Sequence, residues 1–309
     1  MNLPDFPDLG AERLDAVLAR HGLSGALIVR RANVGIFNAI FEVGQDLILR
    51  VPRQHPAFVE SAHKESVVVP LARALGVRTP ALVAFDDTLE LLEVPYGLYE
   101  RAPGGPLEHL GRAPAETPEA YREVGRDLAR FHRAERTAST SDLAIEELPS
   151  VDALPDELAE RGYVGVQEAR WLTSWIAHLR VVGATEKTNA VLRHGDLQAT
   201  NVLVRPSGEY VVLLDFGACG WGDAADDFAG VPLSAVPFML DGYREEGAGA
   251  LGASIEARIV ARQLHIALFL ARRGPQPDKS WAERPLGMLL DLVRTLATSS
   301  DPRWRETLP

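Results

Sequence analysis

The chain has 309 residues, 46% of them apolar, and a formal net charge of −11. This length suits two lobes that each bury a core, and the acidic balance argues against nucleic acid, because phosphate backbones attract basic surfaces. We expect no secretion signal at the acidic N-terminus, and no run approaches the roughly 18 apolar residues that span a bilayer. Cys219 is the only cysteine, so we expect a cytoplasmic protein without disulfides or membrane contact.

The first third of the chain has the pattern of a small lobe rich in β-structure. Apolar runs separated by turn residues predict an antiparallel meander, and a helical segment follows that we expect Pro70 to interrupt. The predicted elements are, in chain order, a helix at 11–22, strands at 26–29, 39–43 and 47–51, a helix near 57–75, and strands at 81–85 and 91–94.

Beyond residue 105 the pattern becomes mostly helical. Pro103-Gly104-Gly105 is the best candidate for a hinge, so we predict an N-terminal lobe at 1–101 and a C-terminal lobe at 102–309. Thr117-Pro118-Glu119 has the residues of a helix start, namely a cap, a first-turn proline and an acid. Further helices are predicted within 152–183 and at about 237–246, 253–273 and 284–298, with a linker at 137–150.

One interruption of the helical pattern carries the most informative residues. The octet at 194–201 is followed by two short apolar runs joined by a polar turn, and the second run leads straight into Asp215. This pattern predicts a β-hairpin that holds Asp196, Asn201 and Asp215 together at one end. A carboxylate that takes a proton, beside an amide and a carboxylate that hold Mg²⁺, is the minimum equipment for phosphoryl transfer.

These residues resemble the aminoglycoside phosphotransferase/choline kinase family, which shares the protein-kinase-like fold. The resemblance rests on His194-Gly195-Asp196, Asn201 and Asp215-Phe216-Gly217, and it extends in order over about residues 25–270. It implies a bilobal α+β fold, with an antiparallel sheet plus a helix in the small lobe and a larger, mostly α-helical C-terminal lobe. Weaker matches along the chain are Gly35–Asn38, Leu49–Pro52, Leu128–His132, Gly222-Asp223 and Asp227-Phe228-Ala229.

The resemblance assigns roles to the residues around the octet. Asp196 is the expected catalytic base, which takes the proton of a substrate hydroxyl. Asn201 and Asp215 are the expected Mg²⁺ ligands, because hard oxygen donors suit a hard cation. His194 is expected to be structural. Asp223 and Asp227 are expected to brace the catalytic loop, with Asp227 buried and hydrogen-bonded.

The resemblance also predicts a nucleotide site in the small lobe. Arg50 stands where protein kinases use lysine to hold the phosphates, and a guanidinium can bind them bidentately. Its expected acidic partner is Glu65, with Glu60 as the alternative. A nucleotide loop is expected from Gly35 to Asn38. Adenine is expected against the backbone of the hinge strand, at Tyr99, Glu100 and Arg101.

Together these inferences predict a Mg²⁺-dependent small-molecule kinase. It would move the γ-phosphate of ATP or GTP to a hydroxyl acceptor, with an aminoglycoside or macrolide antibiotic as the leading class. One alternative is a kinase of a metabolite such as choline, an amino alcohol or a sugar. Another is a nucleotide-binding regulatory module without turnover. Acids available for a cationic acceptor are Asp241, Glu245, Glu246, Glu283 and Asp291.

Overall fold

The structure of the chain, a computed structural model, describes residues 3–30, 36–145, 148–183, 189–247, 251–252, 254–273 and 285–309. Gly35 and Glu283 therefore lie outside the described residues. None of the described helices is long and apolar enough to cross a membrane.

The N-terminal part forms one antiparallel sheet with helices packed around it. Its elements are α1 (Ala11–Arg20), β1 (Ile28–Arg30), β2 (Asn38–Val43), β3 (Leu47–Pro52), α2 (Pro56–Ala74), β4 (Leu82–Asp86) and β5 (Tyr96–Glu100). The strand order is β1-β2-β3-β5-β4. Burial alternates along β2 between half-buried and buried positions, as expected for a strand with one face on a core. The predicted helix at 11–22 and the three-stranded meander are confirmed with small boundary shifts.

Two predictions in this part are wrong. The run at 91–94 does not form a strand, although Leu92 and Val94 are buried in the core of this lobe. Pro95, which lacks an N–H donor for a strand ladder, follows it directly. Pro70 does not interrupt α2, which continues to Ala74. Val68, Val69 and Ala72 flank the proline and are buried, so their packing offsets the hydrogen bond that proline removes.

The C-terminal part is mostly helical, as predicted. Its helices are α3 (Pro118–Phe131), α4 (Leu154–Glu160), α5 (Val166–Gly183), α6 (Val236–Glu245), α7 (Ile255–Ala271) and α8 (Pro285–Thr298). Thr117 precedes α3, but its side chain makes no capping hydrogen bond. The described residues of the predicted linker at 137–150 contain no helix or strand. The α+β fold class is therefore confirmed, whereas the boundary at residue 101 stays a prediction.

Short strands in the helical part build the predicted hairpin. They are β6 (Gly105–Pro106), β7 (Val191–Arg193), β8 (Val202–Val204), β9 (Tyr210–Leu213) and β10 (Gly220–Gly222). β8 and β9 pair antiparallel, β6 adds to β8, and β7 pairs separately with β10. The hairpin at 202–213 is thus confirmed, and the octet forms the loop between β7 and β8.

A buried carboxylate fixes the loop after α2 to the helical part. Asp127, on α3, is fully buried and accepts hydrogen bonds from the backbone and guanidinium of Arg78 at 3.0–3.1 Å and from the Tyr210 hydroxyl at 2.8 Å. The Arg78 carbonyl also accepts from the Leu213 N–H at 2.8 Å. A buried charge with this many donors is satisfied, so the network fixes the position of the hairpin relative to α2 and α3.

Candidate active site

The octet at 194–201, called the catalytic loop below, can turn tightly only because its second residue, Gly195, is a glycine. Gly195 has φ +84°, and a Cβ there would lie 2.2 Å from the carbonyl oxygen of Ala218. Only glycine adopts this conformation without strain and allows such a close backbone approach. The glycine therefore lets the loop lie directly against the segment that follows Asp215.

Asp196 and Asn201 are in direct contact. The Asn201 side-chain amide donates to the backbone oxygen of Asp196 at 2.8 Å and to its Oδ2 at 3.3 Å. The backbone carbonyl of Asn201 accepts from the Leu214 N–H at 2.8 Å. The loop end that carries Asp196 and Asn201 is thereby tied to the residue before Asp215. The structure thus brings the three predicted residues to one end of the hairpin.

Gln198 is a residue that the sequence reasoning missed. Its side-chain amide donates to Oδ1 of Asp196 at 2.5 Å, while Asn201 reaches the other carboxylate oxygen. The Asp196 carboxylate is therefore oriented by amide groups on both oxygens. An amide two residues after the acid in a tight loop was the available signal.

We expect Gln198→Ala to lower kcat by about 10- to 10²-fold, because one hydrogen bond to a charged group is worth about 1.5–3 kcal/mol. The KM for nucleotide should stay unchanged, since the side chain acts through Asp196. Steady-state kinetics at saturating acceptor measures both constants. Gln167→Ala, an exposed glutamine on α5, is the matched control. A loss confined to the nucleotide KM would contradict the positioning role.

Asp215 is held in an unusual backbone conformation. Its φ and ψ are +67° and +66°, the left-handed region, where a non-glycine residue costs about 1–3 kcal/mol. Asp and Asn tolerate this region better than other side chains. The Arg50 guanidinium donates to Oδ1 of Asp215 at 3.3 Å, and the Asp215 side chain remains 45% exposed. The strained residue therefore presents its carboxylate outward, next to Arg50.

The donor set at the hairpin end suits Mg²⁺. The Asn201 amide nitrogen is used by Asp196, which leaves its Oδ1, and Oδ2 of Asp215 accepts no hydrogen bond among the described residues. Hard oxygens of this kind are the ligands that Mg²⁺ takes. The described residues contain no group of three or more His, Cys, Asp or Glu able to hold a metal. An ion held by two protein oxygens would take its remaining ligands from phosphate oxygens and water.

Arg50 pairs with Glu65 rather than with Glu60. The two side chains lie 2.8 Å apart, and Glu65, which is 4% exposed, also accepts from the Tyr99 hydroxyl at 2.9 Å. Glu60 instead pairs with Lys64 at 3.1 Å. Burial alone would lower the pKa of Arg50, but the carboxylates of Glu65 and Asp215 raise it, so the guanidinium stays charged. Burial raises the pKa of Glu65, and Arg50 opposes that rise.

The remaining predicted nucleotide residues lie in β2 and at the end of β5. Asn38 is half-buried at the start of β2. The side chain of Tyr99 contacts Glu65, and the backbone N–H groups of Glu100 and Arg101 already donate to carbonyls within the lobe, at 2.9 and 2.7 Å. The role of these residues in nucleotide binding, together with that of Gly35, stays a prediction.

Asp227 supports the catalytic loop from the protein interior. It is 1% exposed and accepts from the backbone N–H of His194 at 2.7 Å and of Gly195 at 2.9 Å, and it contacts His132 Nε2 at 3.0 Å. The prediction of a buried, hydrogen-bonded carboxylate is confirmed. Among the described residues, no hydrogen bond joins Asp223 to the loop. It accepts from Arg258 on α7 at 2.8 Å and from the Ala225 N–H at 3.0 Å, so the expectation that it braces the loop is wrong.

The histidine of the octet is structural, as expected. His194 is fully buried, and its Nε2 lies 2.9 Å from the carbonyl oxygen of Leu214. Burial lowers the pKa of His194, although Asp227 partly opposes this effect. Cys219 is likewise fully buried, and burial raises the pKa of its thiol, which makes it a packing residue.

Because His194 is buried, we expect the protein to lose stability in mild acid. The pKa of His194 is lowered on folding, so below the unfolded value of about 6.5 the unfolded chain binds the extra proton. Stability should be fully present above that pH and fall as the pH decreases from about 6.5 towards the folded pKa. Urea denaturation between pH 7.5 and 5 measures this slope. The range begins about one pH unit above the unfolded pKa of histidine, where the stability should not yet depend on His194. His109→Gln, an exposed control, should keep the slope, and His194→Gln should reduce it. Equal slopes in the two variants would contradict the assignment.

A family model matches most of the chain. A model of the phosphotransferase enzyme family (APH) matches residues 28–267, which is more than half of the chain. No curated protein sequence gives a significant match.

Solved structures share the fold at low identity. The GDP complex of wild-type aminoglycoside 2'-phosphotransferase-IIIa aligns with a TM-score of 0.65 and 16% identity, covering 93% of this chain and 100% of that chain. A choline/ethanolamine kinase family protein from Mesorhizobium loti aligns with a TM-score of 0.60 and 15% identity, covering 96% of each chain. A macrolide 2'-phosphotransferase from Brachybacterium faecium aligns with a TM-score of 0.56 and 19% identity, covering 96% and 98%.

Proposed function

The chain belongs to the phosphotransferase enzyme family, and from this premise we propose that it is a small-molecule kinase that transfers the γ-phosphate of ATP or GTP to a hydroxyl. The observation that carries the proposal is the geometry at the end of the hairpin. There the Asn201 side chain donates to Asp196, and the backbone carbonyl of Asn201 accepts from the N–H of Leu214, the residue before Asp215. A cytoplasmic location, where nucleoside triphosphates are abundant, is part of the proposal.

Each charged side chain has a distinct task in this proposal. Asp196 accepts the proton of the acceptor hydroxyl and orients its oxygen for attack on the γ-phosphate. The Arg50 guanidinium, held by Glu65 at 2.8 Å, binds the nucleotide phosphates. Asn201 and Asp215 would hold Mg²⁺, which supplies neutralisation of the phosphate charge when bound. Positioning and electrostatics thus account for most of the catalysis.

Two groups of acceptors are candidates. Antibiotic phosphorylation leads, and the structurally similar proteins include phosphotransferases named for aminoglycosides and for a macrolide. Phosphorylation of a metabolite is the second candidate, supported by the likeness to a choline/ethanolamine kinase family protein. A regulatory module without turnover is disfavoured, because such a module has no need for Asp196, Asn201 and Asp215 together.

A panel assay tests the proposal. ADP or GDP release would be measured with Mg²⁺, ATP or GTP, and kanamycin, erythromycin, choline, ethanolamine and simple sugars as acceptors, with the product confirmed by mass spectrometry. We expect one acceptor group to give a phosphorylated product and nucleotide turnover to stop when Mg²⁺ is chelated. Binding of Mg·ATP without any phosphorylated product would favour the regulatory module and overturn the kinase proposal.

A further inference from the structure

A cavity in the helical part has an apolar floor. It measures about 380 Å³ and lies between α5, α7 and the segment before α4. Val151, Ile176, Leu179, Ala261 and Leu264 contribute its apolar lining. A cavity of this size and lining holds a ligand with a compact apolar body, since ligand pockets are mostly apolar with a few placed polar groups.

The polar wall of the cavity consists mainly of hydrogen-bond donors. Arg180, Arg258 and Arg262 line it together with His265, and Asp223 is the acid in the lining. A guanidinium has donors and no acceptor. An ammonium group also has only donors, so a ligand rich in amines would set donors against donors. Oxygen acceptors on the ligand match the guanidinium groups of this wall, whereas the His265 Nε2 already lies 2.7 Å from the Pro149 carbonyl.

The arginines are held in place by acids. Arg258 donates to Asp223 at 2.8 Å, and Arg180 lies 2.6 Å from Asp152. Arg258 also donates to the Ser254 hydroxyl at 3.1 Å and to the Leu251 carbonyl at 2.7 Å, which holds it in position, whereas Arg180 and Asp152 are both exposed. With three arginines and one acid in its lining, the cavity has no excess of negative charge. An acidic trough, which a polycation requires, is absent from the described lining.

The acids expected for a cationic acceptor are also engaged elsewhere. Each of those in the described part of the chain lies in an ion pair with an arginine. Glu245 pairs with Arg126, Glu246 with Arg130, Asp241 with Arg303 and Asp291 with Arg294. An arginine therefore partly neutralises each of these carboxylates.

The cavity is joined to the catalytic loop by one short turn. Asp223, in its wall, caps the 3₁₀ helix Ala224–Phe228, and Asp227 in that helix accepts from the N–H groups of His194 and Gly195. Five residues of 3₁₀ helix span about 10 Å. Asp226 on the same turn pairs with Arg193, which directly precedes the octet. The same turn therefore contacts both the cavity wall and the loop.

We propose that this cavity binds a molecule with an apolar body whose polar groups accept hydrogen bonds, and that it excludes polycations. That this ligand is the phosphate acceptor rests on the proposed function. On that basis the acceptor is an apolar-bodied alcohol with carbonyl, ether or acidic oxygens rather than an aminoglycoside.

Two probes with the same apolar body test the headgroup preference without turnover. Binding of 2-naphthalenesulfonate and of 2-naphthylmethylammonium to the full chain would be measured by isothermal titration calorimetry. We expect the sulfonate to bind at least about tenfold more tightly, the factor that about one charge-assisted hydrogen bond supplies. Equal affinities, or tighter binding of the ammonium probe, would overturn the proposal.

Variants place the probe in the cavity. Ala261→Trp fills the space from α7 and should weaken sulfonate binding at least about tenfold. Ala177→Trp, on the exposed face of α5, should leave it unchanged. Ala261→Leu, which fills less volume, serves if the tryptophan variant does not fold. Unchanged sulfonate affinity in a folded Ala261 variant would show that the probe binds elsewhere and would sink the proposal.

The acceptor part has a separate readout. The sulfonate should compete with the acceptor in the kinase assay, and Ala261→Trp should raise the acceptor KM while the nucleotide KM stays unchanged. Efficient phosphorylation of kanamycin with an unchanged KM in Ala261→Trp would refute the acceptor class. Failure of all phosphorylation would refute the proposed kinase function and leave the binding result standing, so the two failures are distinguishable.

Discussion

Asp196→Asn should lower kcat by at least about 10²-fold, because a positioned general base contributes about 10²- to 10⁴-fold. The amide cannot accept the proton of the acceptor hydroxyl, yet it has nearly the same shape. Its single oxygen can still accept from either Gln198 or Asn201, and Asn201 keeps its hydrogen bond to the backbone oxygen of residue 196. Nucleotide binding should therefore survive. The measurement is kcat for acceptor phosphorylation, with nucleotide affinity from an independent titration.

The control for this prediction is Asp156→Asn, which changes an exposed carboxylate on α4 in the same way. It should keep full activity, because Asp156 lies on the solvent-facing side of a helix outside the hairpin. Activity of Asp196→Asn close to that of the control would mean that another group takes the proton. Loss of nucleotide binding together with activity would instead show that the substitution disturbed the whole loop.

The hairpin site could be predicted because its residues are close together in the sequence. The octet, two apolar runs and Asp215 all fall within 194–215, and the alternation of loop and strand residues is a local signal. The pairing of Arg50 with Glu65 came from the resemblance to a known family. Its geometry required the structure, because Pro70 in the same helix argued for a break that packing prevents.

Contacts between distant segments could not be predicted in the same way. Helical periodicity shows which face of α5 or α7 is buried, but not which helix it faces. The cavity between them combines residues near 151, 176 and 261, and nothing in the chain marks their proximity. The contacts of Arg78 with Asp127 and Tyr210 have the same character. Asp223 was expected at the catalytic loop from the family resemblance, yet α7 supplies its partner, Arg258.

The support of the catalytic loop leads to the largest expected effect on stability. Asp227→Ala should lower the free energy of unfolding by about 3–5 kcal/mol, the usual cost of removing one partner of a buried charged network. The substitution leaves the N–H groups of His194 and Gly195 and the ring of His132 without their acceptor in the interior. Burial alone would raise the pKa of Asp227, but His132, His194 and the Gly195 N–H lower it, so the native site holds the ionised carboxylate.

Urea denaturation at pH 7.5, where Asp227 is ionised in the native state, measures this loss, and the residual activity of the folded fraction shows whether the loop keeps its shape. The control is Asp142→Ala, which removes an exposed carboxylate and should change stability by less than about 0.5 kcal/mol. Asp227→Asn should lie between the two variants, because its amide oxygen can accept from one N–H while its amide nitrogen opposes another donor. A change in Asp227→Ala as small as the control's would mean that water or a rearranged backbone satisfies the loop N–H groups, and the bracing role assigned to Asp227 would be wrong.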